Sequence, residues 1–176
     1  MKFDLESNTQ KLQKQKLLIY PILAVLLGLF QISLAHFIEI GGISPNVMII
    51  FIVWLSIKEG QFFTLFAAFF TGIFYDIIKM DLIGTNALSL LITAFACGFF
   101  YKEGKSDLII RSFKFLLISF IGAIIHNFVY YFLYIRISEM DFWNFFIKYG
   151  VASSLYTCVF SFFPILISFK NRSFNL

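Results

Sequence analysis

The sequence predicts an all-α integral membrane protein with six transmembrane helices. Three observations carry that prediction: the composition, a succession of long apolar runs, and the shortness of the polar breaks between them. Of the 176 residues, 60% are hydrophobic and only 14% charged, with a mean hydropathy of +0.86. Soluble domains hold roughly 45–50% apolar and about 25% charged residues. A soluble fold of this size has nowhere to hide the excess, so lipid is the expected solvent. The net charge of +4 does not point to nucleic acid, because the basic residues flank apolar runs instead of forming a patch. Orientation in a bilayer accounts for them. Cys97 and Cys158 fall inside apolar runs and read as reduced packing residues. No Cys/His spacing of the metal-binding kind occurs, so neither metal nor cofactor is expected.

Residues 1–16 are polar and carry Lys2, Lys11, Lys14 and Lys16, which reads as a short cytoplasmic tail. The first apolar run, 17–37, has about the 20 residues a bilayer needs. Ser33-Leu34-Ala35 resembles a signal cleavage site, but the apolar stretch exceeds the roughly 7–15 residues of a signal core. It is therefore read as a retained span. The second run, 44–57, is short for a span and suggests a thin or partly re-entrant segment. There Pro45 suits the first turn of a helix, with Ser44 as its cap.

The third run, 60–78, and the fourth, 83–101, follow through the breaks Lys58-Glu59-Gly60 and Lys79-Met80-Asp81. Breaks this short admit only tight hairpins. A basic segment reaching Lys114 precedes the fifth run, 113–135. The sixth, 143–169, is long enough to tilt or to begin as an interfacial helix, and 170–176 form a C-terminal tail. One six-span domain, 17–169, results. Eleven Lys and Arg residues then lie on one side of the membrane, while Lys79, Arg136 and Lys148 lie on the other. The positive-inside rule puts both termini in the cytoplasm.

Within the third run Thr64, Ala68, Gly72 and Asp76 recur every four residues, as do Thr85, Ser89, Thr93 and Cys97 in the fourth. Residues four apart share a helix face, so each helix carries a stripe of small side chains. Lipid is as apolar as Leu, so membrane helices associate through close backbone approach at such residues. Ala68, Gly72, Thr85, Ser89 and Thr93 are the expected packing positions, and this striped pair is the expected packing core. Asp76 lies within a turn of the end of its helix. It reads as an interfacial carboxylate bonded to the loop or paired with Lys79, with a buried inter-helix role as the alternative. His126 and Asn127 lie near mid-bilayer and read as inter-helix hydrogen-bonding groups, or else as a ligand or proton site. No nucleophile–base pair, metalloprotease motif or phosphate loop can be assembled, and an enzyme is not expected.

The pattern P-N-V-M-I-I-F-I-V-W-L, K-E-G, F-x-x-G-I-F-Y-D-I-I and L-I-G-T-N-A-L, across residues 44–101, resembles the rod shape-determining protein MreD family. The positions that carry the resemblance are Pro45, Gly60, Gly72, Asp76, Gly84, Asn86 and Ala87. Asn46 stands where that family carries an acidic residue. The resemblance implies an architecture similar to the six-helix substrate-binding subunit of energy-coupling-factor transporters. It also implies a non-enzymatic scaffold of the bacterial cell-elongation complex in the cytoplasmic membrane, supporting peptidoglycan synthesis and cell shape. The partners it implies are MreC, with MreB, RodA and the RodA transpeptidase partner beyond it. Segments 36–46, 79–86 and 136–143 would then be the outward contacts, with Pro45, Asn46, Gly60, Asp76, Gly84 and Asn86 as partner-binding or motif positions. The alternative function is the substrate-binding subunit of a vitamin-type transporter.

Overall fold

In a computed structural model, residues 18–33, 35–135 and 142–173 are described. The expected N-terminal tail with Leu17, Leu34, the whole loop 136–141 with Arg136, and the last three residues lie outside them. The described residues are helical, with no strands. Helix α1 spans Leu18–Ser33, and a 3-10 turn, Ala35–Ile38, follows it. A tight loop at Gly41-Gly42 is closed by paired backbone bonds between Ile40 and Ile43. Then come α2 (Val47–Glu59), α3 (Gln61–Lys79), α4 (Thr85–Gly98), the short α5 (Ser106–Ile110) and α6 (Phe113–Ile135). The last stretch runs through α7 (Phe142–Phe145), a π-helical turn (Phe146–Val151), α8 (Ala152–Phe160) and α9 (Phe162–Ser173).

Three helical stretches are long and apolar enough to cross a membrane: Gln61–Lys79, Phe113–Tyr134 and Phe142–Leu166. Helices α1, α2 and α4 are shorter. Residues 170–173, read from the sequence as tail, continue α9. The distribution of side chains supports lipid as the surrounding medium. On α3 the buried residues are Thr64, Ala68, Thr71, Gly72, Tyr75 and Asp76, while Phe62, Phe66, Phe69 and Phe70 face outward. Small and polar inside with large aromatics outside is the reverse of a water-soluble helix. Contiguous apolar surface of that extent is rare on a soluble monomer.

The centre of the molecule is α2, and this corrects the sequence expectation that α3 and α4 form the core. Met48–Val53 and Leu55–Ile57 are all buried, and α3, α4, α5, α6 and α8 pack around them. The helix is apolar on every face, which suits a position with protein on every side. Its start also differs from expectation. Asn46, not Ser44, is the N-cap: its side chain accepts from the Met48 and Ile49 amides at 3.1 and 3.4 Å. Pro45 precedes the cap, where its carbonyl accepts a bond from the Gln31 side chain of α1 at 2.8 Å. The same amide group of Gln31 accepts from the Val47 N–H at 2.8 Å. A cap supplied partly by α1 is invisible to a local reading, which explains the two-residue shift.

Helix α2 ends at Gly60, whose φ of 88° and ψ of 173° suit glycine almost alone. The α3–α4 hairpin makes the most extensive helix–helix contact. Glycine sets its spacing at both ends. A Cβ on Gly72 would stand 2.3 Å from the Ala87 Cα, and one on Gly98 would stand 2.6 Å from the Gln61 Cβ. The hydroxyls of Ser89 and Thr93 bond back to carbonyls one turn earlier, at 2.6 and 2.8 Å. They present small, satisfied surfaces to α3.

Candidate functional site

The end of the bundle that carries the 39–46 and 80–84 loops gathers buried polar side chains from several helices. It begins with Asp76, which is fully buried. Met80 closes α3 in the left-handed conformation, φ 54°, with its N–H bonded to the carbonyls of Asp76 and Ile77. That turn returns the chain so that the start of α4 lies over the Asp76 carboxylate. The carboxylate accepts from the Gly84 N–H at 2.8 Å, the Asn86 N–H at 3.0 Å, the Asn86 Nδ2 at 2.8 Å and the Thr85 hydroxyl at 3.3 Å. It thus caps α4 from a neighbouring helix. The free amides and the positive end of the helix dipole both favour an anion there. Gly84, at φ 104°, supplies the turn that presents these amides.

Asp76 is hydrogen-bonded to the loop as expected, and it is also buried between helices, as the alternative reading had it. Lys79 does not pair with it. Its Nζ lies 4.0 Å from Asp81 and over the rings of Tyr75 and Tyr130, at 5.1 and 5.8 Å. Tyr130 in turn donates to Asp81 at 2.6 Å.

Beside this knot lies a cavity of about 110 Å³, whose walls include Gln31, Asn46, Lys79, Asn86, His126 and Asn127 with Tyr75, Tyr130, Tyr131 and Tyr149. It is smaller than the roughly 300–1,000 Å³ of pockets that enclose drug-sized ligands, and large enough for several waters or one small polar group. Asn127 is the inter-helix group expected of it, donating to the Gly150 carbonyl at 3.1 Å and to Ser154 at 2.9 Å. His126 behaves differently. It is 2% exposed, stacks on Tyr130, and neither ring nitrogen has a partner of hydrogen-bond geometry. The expected inter-helix hydrogen bond of His126 is thus not seen in this structure, and its ring borders the cavity.

Of the positions singled out from the sequence, Asp76, Gly84, Asn86 and the packing residues Gly72 and Thr85 meet in the knot, while Ala68, Ser89 and Thr93 line the hairpin below it. Pro45 and Asn46 build the start of α2 beside the cavity, and Gly60 lies at the far end. Pro45, Gly60, Asp76 and Asn86 are buried, with Asn46 and Gly84 half-buried, so they shape this end of the bundle and present little surface. The four tyrosines and Gln31 escaped the sequence reading. Gln31, a polar residue inside the apolar run 17–37, was the signal that could have revealed it. Among the described residues no three His, Cys, Asp or Glu side chains gather as a metal ion would need.

No family model, curated protein or solved structure matches the chain.

Proposed function

We propose that the chain is a non-enzymatic scaffold of the bacterial cell-elongation machinery, of the kind represented by MreD. In this reading it has six spans, an energy-coupling-factor-like arrangement and both termini in the cytoplasm. The observation that supports it is the knot. Gly72, Asp76, Gly84, Asn86 and Ala87, which carry the sequence resemblance, form one interlocked unit. A chance scatter of glycines and polar residues along two helices would not converge in this way.

The knot supports a surface as well. Phe37, Ile40, Met80 and Ile83 are strongly exposed on the loops at that end, and they offer an apolar face for an MreC-like partner. RodA, its transpeptidase partner and MreB would associate through the same complex. Two experiments test this. Purification from native bacterial membranes should bring down MreC, and depletion should turn rods into spheres. Changing Met80 and Ile83 together to Glu should abolish MreC capture while leaving the protein folded. Unchanged cell shape on depletion, with no elongation protein recovered, overturns the reading.

The cavity favours a second reading, the substrate-binding subunit of a small-molecule transporter. Uptake that depends on His126 and Asn46, together with recovery of an ATPase pair, would select it over the scaffold.

A further inference from the structure

At the opposite end of the bundle, away from the knot, the chain between α4 and α6 borders a second and larger space, an open groove of about 820 Å³. Its floor is apolar: Phe99 from the turn after α4, Leu108 from α5 and Leu117 from α6 all line it, each about two-thirds exposed. Its rim is basic. Lys102, Lys105 and Lys114 also line it, and no carboxylate does. None of these three lysines makes an ion pair among the described residues. Glu103 and Asp107 are close in sequence but lie outside the lining. Arg111 is engaged elsewhere, with its Nε 3.1 Å from the Ser168 hydroxyl.

The two chemistries are ordered along α6. Lys114 sits in the first turn of this membrane-length helix, Leu117 lies about 4–5 Å further along the axis, and Ile121, also in the lining, about 10 Å further. Positive charge at the helix end with apolar surface one and two turns deeper matches the build of a phospholipid, phosphate above and acyl chain below. A free anion would use only the rim, and a neutral detergent only the floor. Basic pockets between helices at a membrane face recognise anionic headgroups by the same logic, and lysine stems lie along apolar surface while their ammonium groups reach the polar layer.

We propose that this groove is a binding site for an anionic phospholipid, with its acyl chain on Phe99, Leu108 and Leu117 and its phosphate among Lys102, Lys105 and Lys114. The proposal rests on the membrane-length helices and on neither functional reading above.

The test uses the full chain, purified in a neutral detergent and titrated with phosphatidylglycerol or phosphatidylcholine of identical acyl chains, with retained lipid read by native mass spectrometry. Each basic side chain near an anionic lipid surface contributes about fivefold in binding. Wild-type protein should therefore retain phosphatidylglycerol at least ~10-fold better than phosphatidylcholine. The triple variant Lys102→Gln, Lys105→Gln, Lys114→Gln should hold the two equally. These are exposed positions, so its helical circular dichroism should match wild type. Leu117→Trp, which fills the floor, should weaken both lipids. Glycerol phosphate, which has the headgroup charge and no acyl chain, should not compete.

Equal retention of the two lipids by wild type, or an undiminished preference in the triple variant, overturns the proposal. Competition by glycerol phosphate would reassign the site to a free anion, and displacement by an acidic amphipathic peptide would reassign it to a protein partner.

Discussion

Helix α2 and the α3–α4 hairpin bury their residues for opposite reasons. Helix α2 buries bulk: Met48, Ile49, Ile52 and Leu55 are wholly enclosed, and its polar groups are confined to the last turn, where Ser56 bonds back to the Ile52 carbonyl and Glu59 accepts from the Tyr20 hydroxyl. The hairpin buries mostly small and polar side chains, with Leu90 and Tyr75 as its bulky exceptions. Its interface is Gly72 against Ala87, with Thr64, Ala68, Ser89 and Thr93 alongside and the Asp76 carboxylate locking one end. Where lipid is the solvent, enclosing a leucine gains little over leaving it outside. Backbone contact and satisfied buried polar groups should then decide stability. The lesson is that the smaller side chains should matter more than the larger ones.

Substitutions can break or sharpen that contrast, and the largest effect belongs to Gly72. In Gly72→Leu the new side chain meets the Ala87 backbone, which cannot move aside as a side chain could. Overpacking among side chains costs about 1–3 kcal/mol; against backbone the expected cost is above ~4 kcal/mol, read as loss of folded protein from membranes. Next is Asp76→Ala, which strands the Gly84 and Asn86 donors. At about 1–3 kcal/mol for each buried unsatisfied group, the expected loss is ~3 kcal/mol in a detergent unfolding titration.

Leu55→Ala in α2 should cost less, ~1–2 kcal/mol, because the transfer part of the ~2–5 kcal/mol seen in aqueous cores disappears in lipid. A cost well inside that aqueous range would mean water-driven burial holds α2 after all. Asn127→Ala should lose about 0.6–1.7 kcal/mol, the span of inter-helix hydrogen bonds in membranes. His126→Leu comes last. With no bond to lose, it should change stability by less than ~0.5 kcal/mol in the same titration. A large loss there would mean that the imidazole has a structural partner.

The sequence revealed the parts of the fold that depend on spacing. Two tight breaks, at Lys58–Gly60 and Lys79–Asp81, mark helix ends, and the four-residue recurrence of small residues marks the α3–α4 contact. It did not reveal the centre. A run that is apolar on every face, like 47–59, has no periodicity to show which way it points, so its short length drew attention instead of its position. Nor were the long-range partners visible. Gln31 reaches Val47 across a loop, and Asn127 reaches Gly150 and Ser154 in a later helix. The π-helical turn at Phe146–Val151 adds a local widening that no residue pattern announced, just where Gly150 accepts that bond. Asp76 was found readily as a carboxylate in an apolar run. Its burial depended on the left-handed turn at Met80, a residue with no bias towards that conformation.

Helix α2 has 13 residues, which makes it about 20 Å long, while the hydrocarbon layer of a bilayer measures about 30 Å. The polar cavity opens beside its capped end, in depth that a longer helix would have filled. A space of that size beside a helix end has room for several waters among side chains that the bundle otherwise encloses.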